Sequence, residues 1–350
     1  MESYAMAESA LSASDALGIA QRVGQWLFDL LPVGTGDRTH WTGLAAFLFL
    51  GTLVYAFNRK SIREKGFTGL AAYLTPARIY LSRSSLLDVK VFLANKLFQP
   101  LRAVVSRGVQ FVIVAFVADA VGTGLHPGTD GTLPVPMLFL AAFVAALAAD
   151  FAYYVTHRFH HESPLLWPFH KLHHSAEHLT ILTAKRNHPV FDLLLDLVAA
   201  LFIAPVIGVI YGLFGMFDIA TLFGISVFFA VFNLAGGALR HSHIWLDYGP
   251  VLDHIFISPA QHQVHHSLDP KHHDRNYGLM FALWDWAFGT LYIPQGREQL
   301  RYGVADANGH PEPQVHTSLV TAYAVPFTEA AHVLRQSARP APAAKAGLAK

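Results

Sequence analysis

The sequence predicts an all-helical integral membrane protein with four or five transmembrane helices and a histidine-rich helical cap on the cytoplasmic side. Hydrophobic residues make up 53% of its 350 residues and charged residues only 14%, whereas a soluble domain carries about 25% charged residues. The apolar residues gather in runs that approach the roughly 20 residues needed to cross a bilayer as a helix. The first residues resemble no cleaved signal peptide, so internal segments are expected to anchor the chain.

Charge and cysteine content exclude several classes of function. The formal net charge is only +1, which gives no support for nucleic-acid binding. The chain has no cysteine, and this excludes disulfides, iron–sulfur clusters and thiolate zinc sites. Any bound metal ion must therefore use histidine, aspartate or glutamate.

The N-terminal region, residues 1–136, is predicted to hold the first two spans. A short interfacial helix is expected near 23–31, and later apolar runs occupy 41–57 and 109–125. Lysine and arginine are concentrated between positions 59 and 107, which we interpret as a loop. Because cytoplasmic loops carry an excess of these residues, the loop is expected on the inside.

Residues 137–293 form the second predicted region. An apolar run at 136–156 returns the chain to the inside, and runs at 190–215 and 217–239 form a membrane hairpin. The hairpin returns the chain after residue 239 to the same face of the membrane. Residues 294–350 contain no sixth apolar run and are expected to be a partly disordered tail.

Histidines are concentrated at the two ends of this hairpin. Of the 21 histidines, eight lie in 157–188 and eight in 241–273. Within helices, spacings of three and four residues place side chains on one face. Three groups have this spacing: His157 and His161; His170, His173 and His174; His262, His265 and His266. Eight ligands exceed the needs of one four-coordinate ion but suit two ions with about four nitrogens each.

Several other polar residues are candidates for the same site. His241 is expected to be a ninth ligand, and His188 is a candidate tenth. His188, Asp192 and Asp196 form one polar stripe on an apolar helix, and such residues usually face the protein interior. Asp192 is a candidate to orient a ligand imidazole, and Asp150, on the helix face of His157, is another.

The spaced histidines and their flanking residues resemble the fatty acid hydroxylase/sterol desaturase superfamily of membrane non-haem di-iron enzymes. The family pattern HxxxH, HxxHH and a second HxxHH after a hairpin is present in order. KRNHP at 185–189 and HSHI at 241–244 resemble the family's R-x-H-P and H-S-N-I, with His243 in the usual place of Asn. NYG at 276–278 and WDWAFGT at 284–290 resemble its closing motifs and make Asn276 and Asp285 further candidates to support the ligands. The resemblance covers about 137–292.

This resemblance implies O2-dependent hydroxylation or desaturation of a lipid at two Fe ions. A sterol, fatty acyl chain, alkylglycerol or carotenoid is a conceivable substrate. The electrons are expected from an external donor, such as a ferredoxin, a cytochrome b5-type protein or a flavoprotein reductase, because the sequence has no flavin or nicotinamide fingerprint. The enzyme is expected to be multi-pass, with its active site on the cytoplasmic face.

Two alternatives remain open from the residues themselves. Imidazole ligands bind zinc at least as well as iron, so a membrane zinc hydrolase is one alternative. Such an enzyme favours a glutamate in H-E-x-x-H spacing, and neither Glu162 nor Glu177 has it. A metal transporter is the other alternative, but its ligands would line a path within the spans, whereas these lie at span ends.

Overall fold

The computed structural model describes residues 41–58, 66–122, 135–214, 228 and 231–337. Within these ranges the protein is helical, and extended pairing is limited to isolated bridges such as that between Phe256 and Phe281. The all-helical class is therefore confirmed. The predicted interfacial helix at 23–31, the end of the chain after 337 and most of the fifth apolar run lie outside the described residues.

The helices that we discuss are numbered in chain order. They are α1 (Trp41–Phe57), α2 (Gly66–Leu74), α3 (Ala77–Tyr80), α4 (Arg83–Val121), α5 (Val135–Glu162), α6 (Trp167–His174), α7 (Pro189–Phe214), α8 (Gly249–Leu252), α9 (Pro259–His265), α10 (Leu283–Ala287) and α11 (Leu319–Ser337).

Three of these helices, α4, α5 and α7, are long and apolar enough to cross a membrane. The run at 41–57 forms α1, which is apolar but shorter. Phe111 and Phe116 on α4 are 73% and 74% exposed, as expected for side chains that face lipid tails. The number of spans and their orientation stay predictions.

Helix α4 differs from the prediction for its first half. The basic stretch was expected to be a loop as far as residue 107, yet the helix begins at Arg83. The hydroxyl of Ser82 caps it by accepting a hydrogen bond from the backbone N–H of Ser85 at 3.1 Å. Lysine and arginine are good helix formers, so a basic composition beside a membrane does not by itself indicate a loop.

Helices α4 and α7 run parallel in close contact. Arg102 in the middle of α4 pairs with Asp192 at 2.5 Å and Asp196 at 2.9 Å near the beginning of α7. Near their ends, a Cβ placed on Gly212 would meet the carbonyl oxygen of Ala118 at 2.8 Å, so the backbones touch there, as small residues allow. The polar stripe on α7 thus faces α4, and Asp192 contacts Arg102 and not an imidazole.

The cap is built around a buried arginine. Arg186 has no exposed side-chain area and donates to the carboxylate of Asp88 on α4 at 3.0 Å and to the carbonyl of Leu172 on α6 at 3.0 Å. Asp88 also accepts from the hydroxyl of Thr183 at 2.7 Å. Because one buried charge pair ties α4 to α6, the position of α6 is fixed relative to the membrane helices.

The region after residue 293 contributes to the cap, which the sequence did not lead us to expect. Helix α11 packs on α6, where Phe327 meets Phe169 with ring centroids 5.2 Å apart and Glu329 pairs with Lys171 at 3.2 Å. The helix is amphipathic and contains no apolar run. A search for membrane spans therefore misses it.

Candidate metal centre

Four short segments carry the predicted ligands to one place. Helix α5 ends in His157 and His161, and a turn then leads into α6, which has Pro168 in its first turn and bears the second set. Helix α9 bears the third set and begins with a capping box between Ser258 and Gln261. His241 comes after a 3₁₀ turn at Gly237–Leu239.

The structure divides nine histidines into two neighbouring groups. In each group, every ring offers one nitrogen that lies within 4.8 Å of the others. We call them the first group (His157, His161, His170, His174 and His265) and the second group (His173, His241, His262 and His266). All nine were predicted from the sequence to be ligands, and the structure brings all nine together.

Backbone carbonyls orient two rings of the first group. The Nδ1–H of His157 donates to the carbonyl of Tyr277 at 2.7 Å, and that of His265 to the carbonyl of Arg275 at 2.6 Å. With Nδ1 protonated, the Nε2 atom of a neutral ring carries a lone pair. Both Nε2 atoms are buried without a hydrogen-bond partner in the described part of the chain. A buried lone pair without a donor fits a metal ion.

The ring nitrogens of the second group also fit a metal ion, for a different reason. Nε2 of His241 lies 3.2 Å from Nε2 of His173, 2.9 Å from that of His262 and 3.2 Å from that of His266. A ring nitrogen carries at most one hydrogen. These contacts therefore cannot all be good hydrogen bonds, whereas four lone pairs pointing at one cation would all be satisfied.

Burial keeps these rings neutral. It lowers the pKa of His265 to about 4. Burial and the neighbouring ring of His174 hold the pKa of His266 well below its usual range. Metal ligation requires neutral imidazole, so the protein presents both rings in the ligating form at pH 7.

Comparison with known proteins places this centre in a family. The sequence profile of the fatty acid hydroxylase family, described as "Fatty acid hydroxylase", matches residues 142–290. This segment is a fatty acid hydroxylase domain. It contains all nine histidines of the two groups.

Several relatives of this domain are named as enzymes that act on lipids. An alkylglycerol monooxygenase of Danio rerio is 33% identical over 170 residues, 48% of this chain and 33% of that protein. Ornithine lipid hydroxylase OlsE of Rhizobium tropici is 29% identical over 45% of this chain and 44% of its own length. Sphinganine C4-monooxygenase 2 of Arabidopsis thaliana is 28% identical over 55% of this chain and 70% of its own. The chain thus spans less than half of the first two, and no solved structure matches it.

Within the fatty acid hydroxylase domain, Arg240 is a site residue that sequence reasoning missed. It is fully buried, and a guanidinium nitrogen lies 2.6 Å from Nδ1 of His262. The guanidinium also donates to the carbonyls of Gly278, at 2.9 Å, and Leu279. Burial and this guanidinium lower the pKa of His262 well below its usual range. The sequence did contain a signal for this residue, because Arg240 is a cation directly before His241 at the end of an apolar run.

Two buried carboxylates hold the loop that carries the Tyr277 carbonyl. Asp285 accepts from the backbone N–H of Tyr277 at 2.8 Å and of Gly278 at 2.7 Å, and from the hydroxyl of Thr290 at 2.6 Å. Asp150 accepts from the backbone N–H of Met280 at 2.7 Å. Neither contacts an imidazole among these hydrogen bonds, so both act on the centre through the backbone.

Asn276 has a similar place beside the Arg275 carbonyl. Its side-chain amide donates to the carbonyl of Gln261 at 3.0 Å and accepts from the backbone N–H of Tyr292 at 2.7 Å. Its φ of 57° lies in the left-handed region, where Asn is one of the few residues tolerated. Asn276 thus links α9 to the loop that orients His265.

Other predicted candidates lie outside the two groups. His188, the candidate tenth ligand, donates from Nε2 to the carbonyl of Tyr323 on α11 at 3.2 Å. His243 donates to the carbonyl of Tyr73 at 2.6 Å. The departure from the family pattern at His243 therefore leaves both groups intact.

Two cavities reach the centre from different sides. The helix-side cavity, about 360 Å³, lies between α4, α5 and α7 and opens onto His173 and His241 of the second group and His170 of the first. The cap-side cavity, about 350 Å³, opens onto His161 and His174 and is lined by Glu162 and Asp274. The helix-side cavity thus reaches rings of both groups, whereas the rings that line the cap-side cavity belong to the first group.

Proposed function

We propose that the protein is a membrane-bound, O2-dependent hydroxylase or desaturase of a lipid, with two iron ions as cofactors. The observation that carries this proposal is the pair of adjacent all-histidine groups inside a fatty acid hydroxylase domain. Nine imidazoles are more than a mononuclear zinc hydrolase needs, since such sites use three protein ligands and a water. Their position at the ends of helices, beside a closed cap, also argues against a transport path.

In this proposal each group holds one iron ion. When bound, the pair of ions supplies the activation of O2 and the removal of hydrogen from a C–H bond. The residues of the chain present neutral nitrogens, keep two rings in orientation through the Tyr277 and Arg275 carbonyls, and exclude water by burial. The absence of cysteine suits a site that handles a strong oxidant, because thiols are readily oxidised.

The substrate is a lipid that reaches the centre through the helix-side cavity. That cavity lies between the candidate spans and ends at His173 and His241 of the second group and His170 of the first. The names of the relatives, which include alkylglycerol, ornithine lipid and sphinganine enzymes, are consistent with a lipid that carries a polar headgroup.

The electrons come from a separate protein. We propose a ferredoxin, a cytochrome b5-type protein or a flavoprotein reductase as the donor. The purified chain is then expected to show no turnover with NADPH and lipid until a reductase system is added. Turnover by the isolated chain with NADPH alone would refute this part of the proposal.

We place the centre on the cytoplasmic face, on the basis of the lysine and arginine distribution. Since the chain has no cysteine, a single Lys271→Cys variant offers a clean topology probe, and the Lys271 side chain is 52% exposed on the cap. A membrane-impermeant thiol reagent should label it only after the cells are opened. Labelling in intact cells would reverse the orientation.

Metal analysis of the protein purified in detergent tests the main proposal. We expect two iron ions per chain and lipid-dependent O2 consumption in the presence of a reductase system. One zinc ion per chain with lipid hydrolysis and no O2 uptake would instead establish the hydrolase. Metal that exchanges across a vesicle membrane would favour the transporter.

A further inference from the structure

Two stretches of the cap, 249–257 and 278–288, expose many apolar side chains. They contain α8 and α10, and backbone hydrogen bonds join them, from Ile257 to Met280 at 3.0 Å and from Ala282 to Ile255 at 2.9 Å. Each of the following large side chains is at least 36% exposed: Val251, Leu252, Ile255, Phe256, Leu283, Trp286 and Phe288. We call these two stretches the apolar wedge. An exposed apolar patch of this kind marks a surface that contacts a protein or a membrane.

The wedge exposes no carboxylate, lysine or arginine. The structure describes both stretches in full, and their two acidic residues, Asp253 and Asp285, are buried. Asp253 accepts a hydrogen bond from the backbone N–H of Tyr248 at 3.2 Å, and Asp285 holds the loop described above. His254 is the one exposed titratable residue of the two stretches. Because charged side chains are costly to move into lipid, this composition suits a surface that lies in a membrane.

Hydrogen bonds to α5 show how deep the wedge lies. The buried carboxylate of Asp150 accepts from the backbone N–H of Met280 at 2.7 Å and from that of Phe281 at 3.2 Å. It also accepts from the indole N–H of Trp284 at 2.8 Å. Asp150 precedes His157 by about two helical turns, which is about 10 Å along the helix axis. The wedge therefore meets α5 inside its apolar run, on the membrane side of the metal centre.

Aromatic contacts connect the wedge with exposed positions of α5. The ring centroid of Phe281 lies 6.3 Å from that of Phe143 and 5.7 Å from that of Phe256. Phe143 is near the middle of the apolar run and is itself exposed. Towards the end of α5, the ring of Phe288 stacks on that of Tyr154, with centroids 5.5 Å apart. The exposed surface of the wedge is thus continuous with the surface of a candidate span.

The backbone of the wedge has the partners that lipid depth requires. Non-helical backbone in the hydrocarbon region must be satisfied within the protein, because lipid tails offer no hydrogen bonds. The guanidinium of Arg240 donates to the carbonyls of Gly278, at 2.9 Å, and Leu279. Asp150 accepts from the N–H groups of the next two residues. One buried cation and one buried anion therefore satisfy a backbone group on each of four consecutive residues of an irregular segment.

We propose that the wedge is inserted in the lipid leaflet on the cap side of the membrane. The cap is then partly sunk among the lipids, with Trp286 at the membrane–water boundary, where tryptophan is enriched. The neighbour of the wedge is bilayer lipid and not a protein, because the wedge continues the surface of α5 at the level of its apolar run. The proposal requires that α5 crosses the membrane, and it needs neither iron nor oxidation.

Insertion of the wedge bears on access to the metal centre. Leu279 lines the helix-side cavity, and it belongs to the segment that Arg240 and Asp150 hold at lipid depth. A lipid then reaches that cavity sideways from the leaflet, without leaving the membrane. This consequence rests on the proposed function, whereas the insertion itself does not.

Single cysteines labelled with bimane test the insertion in the full chain, reconstituted at one chain per phosphatidylcholine nanodisc. The native chain has no cysteine, so Val251→Cys and Trp286→Cys each carry a single label. Phe111→Cys, on the exposed apolar surface of α4, is the reference for lipid, and Lys271→Cys, exposed on the cap, is the reference for water. Phosphatidylcholine with a nitroxide on its acyl chain quenches labels that lie in lipid, and iodide quenches labels that lie in water.

We expect the nitroxide to quench both wedge labels as strongly as the label at position 111, and iodide to leave them unquenched. The label at position 271 should behave in the opposite way. Quenching of the wedge labels by iodide alone would leave the wedge in water and overturn the proposal. Protection from both quenchers would show that another part of the chain covers the wedge, and would overturn it as well.

A charged variant provides a second measurement. Trp286→Asp should raise the iodide quenching of the label at position 251 and lower its nitroxide quenching, because a charge at lipid depth is costly. Gln299→Asp, at an exposed position of the cap outside the wedge, is the matched control and should change neither value. Equal responses of the two variants would contradict the insertion. The melting temperature of each variant in detergent should equal that of the wild type, which separates displacement from unfolding.

The outcomes distinguish the insertion from the proposed function. If the wedge labels lay in water but the protein bound two iron ions and consumed O2 with lipid, the insertion would fall and the proposed function would survive. If the labels lay in lipid but no iron was found, the insertion would survive and the proposed function would fall.

Discussion

The two histidine groups differ in composition, support and access. The first has five rings, two of them oriented by backbone carbonyls, and opens towards the cap. The second has four rings, one of them contacted by the buried Arg240, and opens between the membrane helices. The helix-side cavity proposed for the substrate meets His173 and His241 of the second group and His170 of the first, whereas the rings that line the cap-side cavity belong to the first group.

The way the helices divide their histidines connects the two groups. Pairs four residues apart stay together: His170 with His174 in the first group, and His262 with His266 in the second. The third histidine of each helix belongs to the other group: His173 of α6 lies in the second group, and His265 of α9 lies in the first. Because neighbouring residues on a helix point about 100° apart, α6 and α9 each contribute to both groups and hold them at a fixed separation.

The largest expected effect comes from removing one ligand from each group. His161→Ala and His266→Ala should each abolish lipid oxidation, since both ions are needed, and each should lower the metal content from about two ions to about one. Metal analysis and O2 uptake on membrane-inserted protein measure both quantities. If either variant kept full activity, or if each lost both ions, the division into two groups would be broken.

A large effect on stability is expected from Asp285, which supports the first group through the residue that carries the Tyr277 carbonyl. Asp285→Ala leaves two backbone N–H groups and one hydroxyl buried without their acceptor, at a cost of about 3 kcal/mol or more. The thermal midpoint in detergent should fall, and the ion of the first group should be lost before that of the second. The exposed carboxylate of Asp269, replaced in the same way, is the control. Equal loss from both groups would contradict the separation of their supports.

Acidification should destabilise the metal-free protein. His265 has a pKa of about 4 in the folded protein against a usual value of 6.5, so the unfolded chain binds more protons between these values. The stability from this neutral ring is complete above pH 6.5 and declines as the pH falls towards 4, by about 3 kcal/mol in total. Denaturant unfolding at several pH values measures the slope. His265→Gln should flatten it, whereas the exposed His310→Gln should leave it unchanged, and a slope unaffected by His265→Gln would refute the assignment.

The smallest effect is expected at His243. His243→Asn restores the residue usual at this place in the family, and the structure puts His243 against the Tyr73 carbonyl, outside both groups. Metal content and O2 uptake should stay within error of the wild type, and stability should change by less than about 1 kcal/mol. A loss of metal from the second group would show that its boundary extends beyond His241.

The histidines of the two groups were predictable because spacing within a helix is local information. The sequence also predicted that residues on either side of a membrane hairpin would converge, as His170 and His262 do. It did not predict which ring belongs to which group, because that depends on the rotation of α6 and α9 about their axes. That rotation is set by distant contacts, such as Arg186 with Asp88.

Supporting residues were less predictable for the same reason. Tyr277 and Arg275 act through backbone carbonyls, which carry no side-chain signature. Arg240 was overlooked because a cation next to histidine ligands runs against the usual preference for carboxylate partners. The start of α4 was missed because its basic residues indicate membrane orientation but do not indicate secondary structure.

The contact between the ring of His157 and the carbonyl of Tyr277 has a consequence for biosynthesis. This contact cannot form until the ribosome has passed residue 277, long after α5 has been synthesised. In the proposed orientation the emerging imidazoles are until then open to any cytosolic ion, and copper and zinc bind such nitrogens at least as tightly as ferrous iron. Correct metallation of the proposed enzyme therefore depends on which ions are available while the chain is being made. We expect rapid overexpression in zinc-rich medium to trap zinc, and slow expression with added iron to avoid it, as metal analysis of the two preparations would show.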